Sequence, residues 1–229
     1  MLTEKTDYEK KLKNLLDVCS KKLCELYINQ GSGKWKAAAA DGIRLIFPHN
    51  RVQNDEEKST RVSEQEARFC LAALLESERY PFYYSVETPT EEKYSFSGST
   101  ELAAQTDLTL YDEKLNKLFN VELKCNNVEC DNDFEKLCRE KPDGVWFHIL
   151  ENTDSGTLPS VLKKVTEALE KALPYSQYSE KKIVFAFCIL KKQECHIFSV
   201  EFKKSEDVGI TLYNSKEWVA LSGLGENGH

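Results

Sequence analysis

The feature that most constrains the fold of this chain is a set of strand-length apolar runs in its C-terminal half. The segment "GVWFHIL", residues 144–150, is strongly apolar along its whole length. Such a run is typical of a central strand that is buried on both faces of a sheet. The segments "KKIVFAFCIL" and "CHIFSVEF" predict two more strands after it. Strands of this kind need helices packed over the faces of the sheet.

The segment from residue 63 to residue 173 contains helices and strands in the order that such a sheet requires. "RVSEQEARFCLAALLESERY" places apolar residues at helical spacing, and Ser63 followed by Glu66 forms a capping-box pattern. Three strands are predicted next, in "YPFYYSVETPT", "AAQTDLTLYD" and "KLFNVELKC". The turn "DEKLN" lies between the last two and predicts an antiparallel hairpin. Helices are predicted over 131–140 and 157–173, so the fold class is α/β (mixed α+β), a central mixed sheet flanked by helices.

The first sixty residues have a different character. Residues 7–28 carry an apolar stripe at helical spacing, and "NQGSGKW" is a pattern that ends a helix. Residues 31–62 are mixed, with a short strand predicted in "GIRLIFPHN" up to Pro48, and "GITLYNSKEWVALS" predicts a further element near the C-terminus. We therefore divide the chain into an N-terminal helical extension, 1–60, and a core, 61–229.

Composition narrows the classes of protein to which the chain can belong. The start of the sequence is polar and charged, and the longest apolar run, Ile183 to Leu190, is too short to cross a membrane. The eight cysteines are scattered without a CxxC pair, which indicates reduced thiols in a cytoplasmic protein. Cys125, Cys130 and Cys138 have the wrong spacing for a zinc knuckle. The net charge of −7 argues against a protein that coats nucleic acid without specificity.

The segment "NVELKCNN" contains a charged pair inside an otherwise strand-like run. Side chains alternate along a strand, so Glu122 and Lys124 share one face and Val121 and Leu123 the other. If the hairpin closes through residues 112–116, Asp107 lies opposite or nearly opposite Glu122. Two facing carboxylates repel each other unless a positive group lies between them. Mg²⁺ fits this position, because it binds one or two protein carboxylates together with phosphate oxygens of a substrate.

This pattern resembles the PD-(D/E)XK nuclease superfamily. The matching residues are Asp107 in "QTDLTLY" and, 15 positions later, Glu122 and Lys124 in "VELKC", behind a helix that carries Glu64. The resemblance covers roughly residues 63–202. It implies a restriction-endonuclease-like core in the order α-β-β-β-α-β and Mg²⁺-dependent hydrolysis of phosphodiester bonds, with Mn²⁺ as a substitute.

The resemblance also implies roles for individual residues. Glu64, Asp107, Glu122 and Lys124 would be catalytic, and the three carboxylates would hold the metal. Glu64 lies nearer the apolar stripe of its helix than Glu66, whose capping-box position gives it a structural role. Thr106 stands where many members of the superfamily have proline. The implied partner is nucleic acid, with DNA expected, and many such nucleases work as homodimers.

A substrate-binding surface is predicted from local charge. Residues 156–204 contain nine lysines and five glutamates, a balance of +4 within an acidic chain. These lysines are either solvated helix and strand ends or a phosphate-facing rim beside Glu122. The candidates for the rim are Lys163, Lys164, Lys191 and Lys192, with Lys181 and Lys182 beside them.

Two other interpretations of the charged residues stay open. A catalytically inactive nuclease-fold protein could bind nucleic acid or a protein partner, with residues 1–60 as an interaction module. Alternatively, Asp107, Glu122 and Lys124 could be surface salt bridges of a structural protein, since Glu-x-Lys pairs are common on the solvated face of a sheet. No GxSxG, P-loop or HExxH pattern is present in the sequence.

Overall fold

The structure is a computed structural model that describes residues 2–31, 45–48, 61–77, 79–95, 101–126, 129–153, 157–178 and 180–203. These residues form four α-helices, one short 3₁₀ helix and a six-stranded sheet. The helices are α1 (Leu2–Gly31), α2 (Glu64–Leu75), α3 (Asp131–Arg139) and α4 (Thr157–Ala172), with the 3₁₀ turn Leu173–Tyr175 after α4. The strands are β1 (Tyr83–Tyr94), β2 (Leu102–Tyr111), β3 (Lys117–Cys125), β4 (Asp143–Leu150), β5 (Glu180–Ile189) and β6 (Glu194–Lys203).

The sheet is mixed, and its strands lie side by side in chain order. Strands β1, β2 and β3 are antiparallel, β3, β4 and β5 are parallel, and β6 returns antiparallel to β5. Strand β4 is central and buried at every position, as the apolar run 144–150 predicts. The prediction of a mixed α/β fold with helices on both faces of a central sheet is confirmed.

Helices α1 and α2 cover one face of the sheet. Their apolar stripes form a single core with the residues of β3, β4 and β5 that point to this side, among them Val121, Leu123, Phe147 and Val184. Leu12, Leu16 and Leu23 of α1 are at most 1% exposed in this core. The N-terminal helix therefore packs against the sheet of its own chain.

Helices α3 and α4 cover the other face. Trp146 and Phe185 of the sheet pack there with Phe134 of α3, and the rings of Phe134 and Trp146 stack with centroids 4.6 Å apart. A side chain at Gly144 would meet Ile183 at 3.1 Å and Leu137 at 3.3 Å, so glycine allows α3 to approach the sheet closely. Cys130 and Cys138 belong to this core and Cys125 to the opposite one.

The hairpin between β2 and β3 closes through residues 112–116, as predicted. The Asp112 amide donates to the Asn116 carbonyl at 3.1 Å, and Leu115 takes a left-handed backbone conformation with φ of 61°. The Asp112 carboxylate accepts the amides of Lys114 and Asn116 and holds the turn. The turn closes with Tyr111 paired to Lys117, and after a register shift of one residue Leu108 pairs with Val121.

Two further elements predicted from the sequence have other outcomes. Residues 45–48 have no regular secondary structure, so the short strand predicted before Pro48 is wrong there, and Phe47 instead packs edge-on against Tyr27. The predicted element in 209–222 lies outside the described residues. No helix among the described residues is long and apolar enough to cross a membrane.

Candidate functional site

The candidate site lies where β2 and β3 stop pairing. The last paired positions are Leu108 and Val121, and the next residues along the two strands are Asp107 and Glu122. Asp107 Oδ2 accepts a hydrogen bond from the Leu123 amide at 2.8 Å, so a side chain takes the place of a backbone partner. The prediction that Asp107 lies beside Glu122 on an adjacent antiparallel strand is confirmed.

Arg68 holds the second oxygen of Asp107. Its guanidinium donates to Asp107 Oδ1 at 2.6 Å and to the Glu87 carboxylate at 3.1 Å. Arg68 stands one helical turn after Glu64 on α2, so both side chains reach the same end of the sheet. Glu87 has a positive φ of 48°, which is strained for a residue with a side chain. The Arg68 bridge therefore ties α2, β1 and β2 together at the site.

Glu122 is the most deeply buried carboxylate of the site, with only 1% of its surface exposed. Its Oε2 accepts from the Lys136 ammonium at 2.7 Å, and its Oε1 has no hydrogen-bond partner among the described residues. Burial raises the pKa of Glu122 well above its ordinary value; Lys136 opposes this, and Asp133 and Asp107 add to it. The interpretation of Glu122 as part of a solvated surface pair is wrong.

Lys136 occupies the centre of this charged group. It comes from α3 and donates to Glu122 and to the Gln105 carbonyl at 2.9 Å, and its ammonium lies 3.4 Å from Asp133. Only 8% of Lys136 is exposed. The positive charge beside the Glu122 carboxylate is thus supplied, in this structure, by a side chain of the protein itself.

Lys124 points to the same side of β3 as Glu122 and pairs with Asp133 at 2.5 Å. Burial lowers the pKa of Lys124, but the ion pair with Asp133 and the nearby carboxylates outweigh that effect, and the pKa is raised. Lys124 therefore stays protonated at neutral pH. A protonated lysine can orient water or stabilise negative charge, but it cannot accept a proton.

The structure distinguishes the two glutamates at the start of α2. Glu66 accepts from the Ser63 amide at 2.8 Å and from its hydroxyl at 2.6 Å, which confirms the capping box. Glu64 is half-buried. Burial raises its pKa, with Lys124 opposing and Asp107 and Asp133 adding to the shift. Glu64 therefore lies within electrostatic range of the site, whereas Glu66 is engaged by the helix cap.

The floor of the site is aromatic and dry. Trp146 pairs with Glu122, and His148 with Lys124, in the parallel register of β3 and β4. Burial lowers the pKa of His148 to about 4; a hydrogen bond to the Asn126 carbonyl opposes the shift, and Lys124 adds to it. A neutral, buried floor that excludes solvent lowers the effective dielectric constant and so strengthens the charge interactions above it.

Four carboxylates and three cations alternate in this cluster, which carries a net charge of −1 when all are ionised: Glu64, Asp107, Glu122 and Asp133 against Arg68, Lys124 and Lys136. Within the described ranges, no three His, Cys, Asp or Glu side chains stand together as a ready-made metal site. Arg68 and Lys136 form ion pairs with Asp107 and Glu122, at 2.6 Å and 2.7 Å.

Sequence reasoning missed three members of the cluster: Arg68, Asp133 and Lys136. A signal for two of them exists, since Asp133 and Lys136 are three residues apart on a short helix whose apolar residues, Phe134 and Leu137, lie on another face. Arg68 follows Glu64 by four residues and shares its face. None of these positions is marked by the strand pattern that identifies Asp107 and Glu122.

The predicted lysine rim separates into different environments. Lys163 of α4 is 73% exposed and lies 3.7 Å from Glu167. Lys164 is half-buried, and its charge acts on the Cys130 thiol, as do those of Lys124 and Asp133. Lys164 therefore lies on the side of the site, whereas Lys163 is solvent-exposed beside Glu167.

The remaining lysines of the rim have mixed outcomes. Lys181 is 3% exposed and donates to the Glu140 and Pro142 carbonyls, so its inclusion in a phosphate-facing rim is wrong. Lys182 pairs with Glu9 at 2.7 Å and Glu201 at 2.9 Å. Lys191 pairs with Glu151 at 2.9 Å, and Lys192 is exposed. Lys164 and Lys192 form no ion pair with the described residues. These two lysines therefore stay candidates for contact with a ligand.

Comparison with known proteins adds no assignment. No protein-family model, curated protein or solved structure matches the chain. The function of the site is therefore argued from its residues and their geometry.

Proposed function

We propose that this protein is a metal-dependent nuclease that hydrolyses phosphodiester bonds of nucleic acid, with DNA as the expected substrate. The observation that carries the proposal is the convergence of Asp107, Glu122, Lys124 and Glu64 at the point where β2 and β3 separate. These four residues come from three elements, and they are the residues on which the resemblance to the PD-(D/E)XK superfamily rests. A restriction-endonuclease-like core is the finer description of the fold that goes with this proposal.

The carboxylates suit a Mg²⁺ ion in chemical type, and one of them, Glu122, has an oxygen without a hydrogen-bond partner among the described residues. Glu122 Oε1 is buried without a partner among the described residues, which is costly for a carboxylate oxygen unless a cation reaches it. Asp107 and Glu64 would supply the other protein oxygens, as Mg²⁺ prefers few carboxylates and several waters. When bound, the ion polarises a phosphoryl oxygen and lowers the pKa of a coordinated water.

Lys124 would act as a fixed positive charge beside the scissile phosphate. Its ion pair with Asp133 keeps it protonated and in one orientation, since a lysine with a single strong partner loses most of its rotamers. Such a charge stabilises the negative charge that develops on phosphate oxygens during attack by water. Asp133 is then a positioning residue, because it acts through Lys124.

Substrate binding would depend on the few cations that are not consumed by ion pairs. The chain carries −7 overall, and most lysines of the rim are paired. Lys164 is the best candidate for a phosphate contact, because it lies on the side of the site and has no ion pair in the described residues. Cutting both strands of a duplex needs two sites, so we expect a homodimer on double-stranded DNA.

The test is cleavage of supercoiled plasmid and of a labelled single-stranded oligonucleotide with Mg²⁺, Mn²⁺ or EDTA. We expect cleavage with either metal and none in EDTA, and Asp107→Asn should abolish it while the variant keeps its circular dichroism spectrum, with a lower melting temperature because Arg68 loses its carboxylate partner. Cleavage by Asp107→Asn at the wild-type rate would assign the activity to another part of the molecule or to a contaminant.

A second function is favoured by one observation: the carboxylates of Asp107 and Glu122 already have basic partners within the chain. An inactive nuclease-fold protein that binds nucleic acid or protein would keep such a neutralised cluster for stability. Fluorescence anisotropy with labelled DNA in EDTA discriminates the two functions. Tight binding without cleavage at any Mg²⁺ or Mn²⁺ concentration would support the binding module.

A further inference from the structure

Five of the eight cysteines gather at one end of the core, on the side of the sheet away from Glu122. They come from four elements: Cys19 and Cys24 from α1, Cys70 from α2, Cys188 from β5 and Cys195 from β6. Cys188 and Cys195 are direct partners in the antiparallel register of β5 and β6. All eight cysteines are free thiols. The fold, and not the sequence spacing, brings these thiols together.

One pair in this cluster is close enough to react. Cys24 Sγ lies 3.8 Å from Cys188 Sγ, although the two residues are 164 positions apart in sequence. Forming a disulfide requires the sulfurs to approach to about 2.05 Å, which small rotations of both side chains can provide when the sulfurs already face each other. We propose that Cys24 and Cys188 are an oxidation-sensitive pair that forms a reversible disulfide between α1 and β5.

The surroundings favour Cys24 as the thiol that reacts first. Its hydrogen bond with Cys188 lowers the pKa of Cys24, whereas that contact and burial raise the pKa of Cys188. A thiolate is the nucleophile in reactions with peroxides and disulfides. The Cys188 thiol contacts the Ser20 carbonyl at 3.7 Å and stays next to the Cys24 sulfur, in the position of a resolving cysteine.

The chemistry is balanced with hydrogen peroxide as the oxidant. The Cys24 thiolate attacks one peroxide oxygen, the O–O bond breaks, hydroxide leaves, and a sulfenic acid forms. The Cys188 sulfur then attacks the sulfenic sulfur, the S–O bond breaks, and water leaves with the thiol proton. Two thiols and one peroxide thus give one disulfide and two waters. A dithiol reductant reverses the reaction by thiol–disulfide exchange.

The disulfide would fasten α1 to the sheet. Helix α1 packs against α2, which carries Glu64 and Arg68. The disulfide would therefore also restrain α2 next to the candidate site. The pair lies on the other face from Glu122 and needs no metal or nucleic acid. Its presence or absence is therefore independent of the proposed nuclease activity.

The experiment treats the reduced full-length protein with hydrogen peroxide, blocks the remaining thiols under denaturing conditions, and maps cross-linked peptides by mass spectrometry. We expect one intramolecular disulfide between Cys24 and Cys188 that dithiothreitol reverses and that Cys24→Ala abolishes. The matched control is Cys130→Ala, because Cys130 has the same 4% exposure but lies on the opposite face, where burial raises its pKa to about 12. This control should form the disulfide like the wild type.

Thermal unfolding of the wild type provides a second readout that needs no variant. A cross-link across so long a stretch of chain should raise the melting temperature of the oxidised protein by at least about 5 °C. A disulfide that joins Cys188 to Cys195, oxidised Cys24 without a cross-link, or no reaction at all would each overturn the proposal.

Discussion

Replacement of Lys136 by methionine tests the electrostatic account of the site most sharply. The variant keeps most of the apolar volume of the side chain and removes the ammonium, with its charge and its hydrogen bonds. It leaves the Glu122 carboxylate, which is 1% exposed, without its cation, and it leaves the Gln105 carbonyl without its donor. A charge pair separated by 2.7 Å contributes about 6 kcal/mol at an effective dielectric constant of about 20, before the cost of desolvation.

The expected loss of stability is smaller than this attraction, because desolvation of both groups opposes it. Breaking one partner of a buried pair costs about 3–5 kcal/mol in the free energy of unfolding. The double variant Glu122→Gln with Lys136→Met should lose less than the sum of the two single variants, with a coupling energy of about 2 kcal/mol or more. The assay is urea denaturation at pH 8 in EDTA, and Lys163→Met is the exposed control, with an expected change within about 0.5 kcal/mol.

The pH dependence supplies the sign of the effect. Burial raises the pKa of Glu122 above its ordinary 4.5. The stability that comes from this raised pKa is fully present below pH 4.5, and it is lost as the pH rises through the raised value. Without Lys136 the ionised carboxylate is costlier still, so the penalty of Lys136→Met should grow from pH 5 to pH 8. A loss below about 1 kcal/mol at pH 8, or strict additivity in the double variant, would refute a buried and coupled pair.

Three further predictions follow from individual contacts. Glu64→Gln should abolish cleavage with little change in stability, whereas Glu66→Ala should lower the free energy of unfolding by about 1 kcal/mol through loss of the capping box and keep cleavage; equal activity in both variants would contradict these roles. Lys164→Gln should flatten the dependence of log affinity on log salt for duplex DNA by about 0.9, and Lys163→Gln should not, as measured by anisotropy with an inactive Glu122→Gln background. The His148 imidazole should titrate near pH 4 in NMR spectra, so that its contribution to stability, present above pH 6.5, is lost as the pH falls toward 4, and a midpoint near 6.5 would contradict its burial.

The strands and helices of the core could be predicted from the sequence because their patterns are local. Strand β3 has the predicted bounds, 117–125, since alternating residues and the turn at 112–116 define it from both sides. The turn pairs Tyr111 with Lys117, and a register shift between Leu110 and Tyr111, which the local pattern does not predict, then brings Asp107 beside Glu122. The capping-box pattern of Ser63 and Glu66 is also local, and it correctly indicated a structural role for Glu66, which left Glu64 as the candidate for the site.

The pairing of charges at the site could not be predicted in the same way. Lys136 and Arg68 reach the strand carboxylates from helices, and the rotation of each helix about its axis is fixed by packing that involves distant residues. The burial of Lys181 has the same origin, because its acceptors are the Glu140 and Pro142 carbonyls beyond the end of α3. A count of local charges treats such lysines as surface groups. Only the fold distinguishes a buried lysine from an exposed one.

The central claim is that the residues around Glu122 form a metal-dependent hydrolytic site, and single-turnover cleavage by Lys124→Met tests it most directly. This variant keeps all the carboxylates and removes the charge proposed to stabilise the reacting phosphate. We expect binding of DNA in Ca²⁺ within about threefold of wild type and a cleavage rate in Mg²⁺ lower by a factor of about 10² or more, in line with the loss of one oriented electrostatic group. Cleavage by Lys124→Met at the wild-type rate, with wild-type binding, would contradict the assignment of this cluster as the active site.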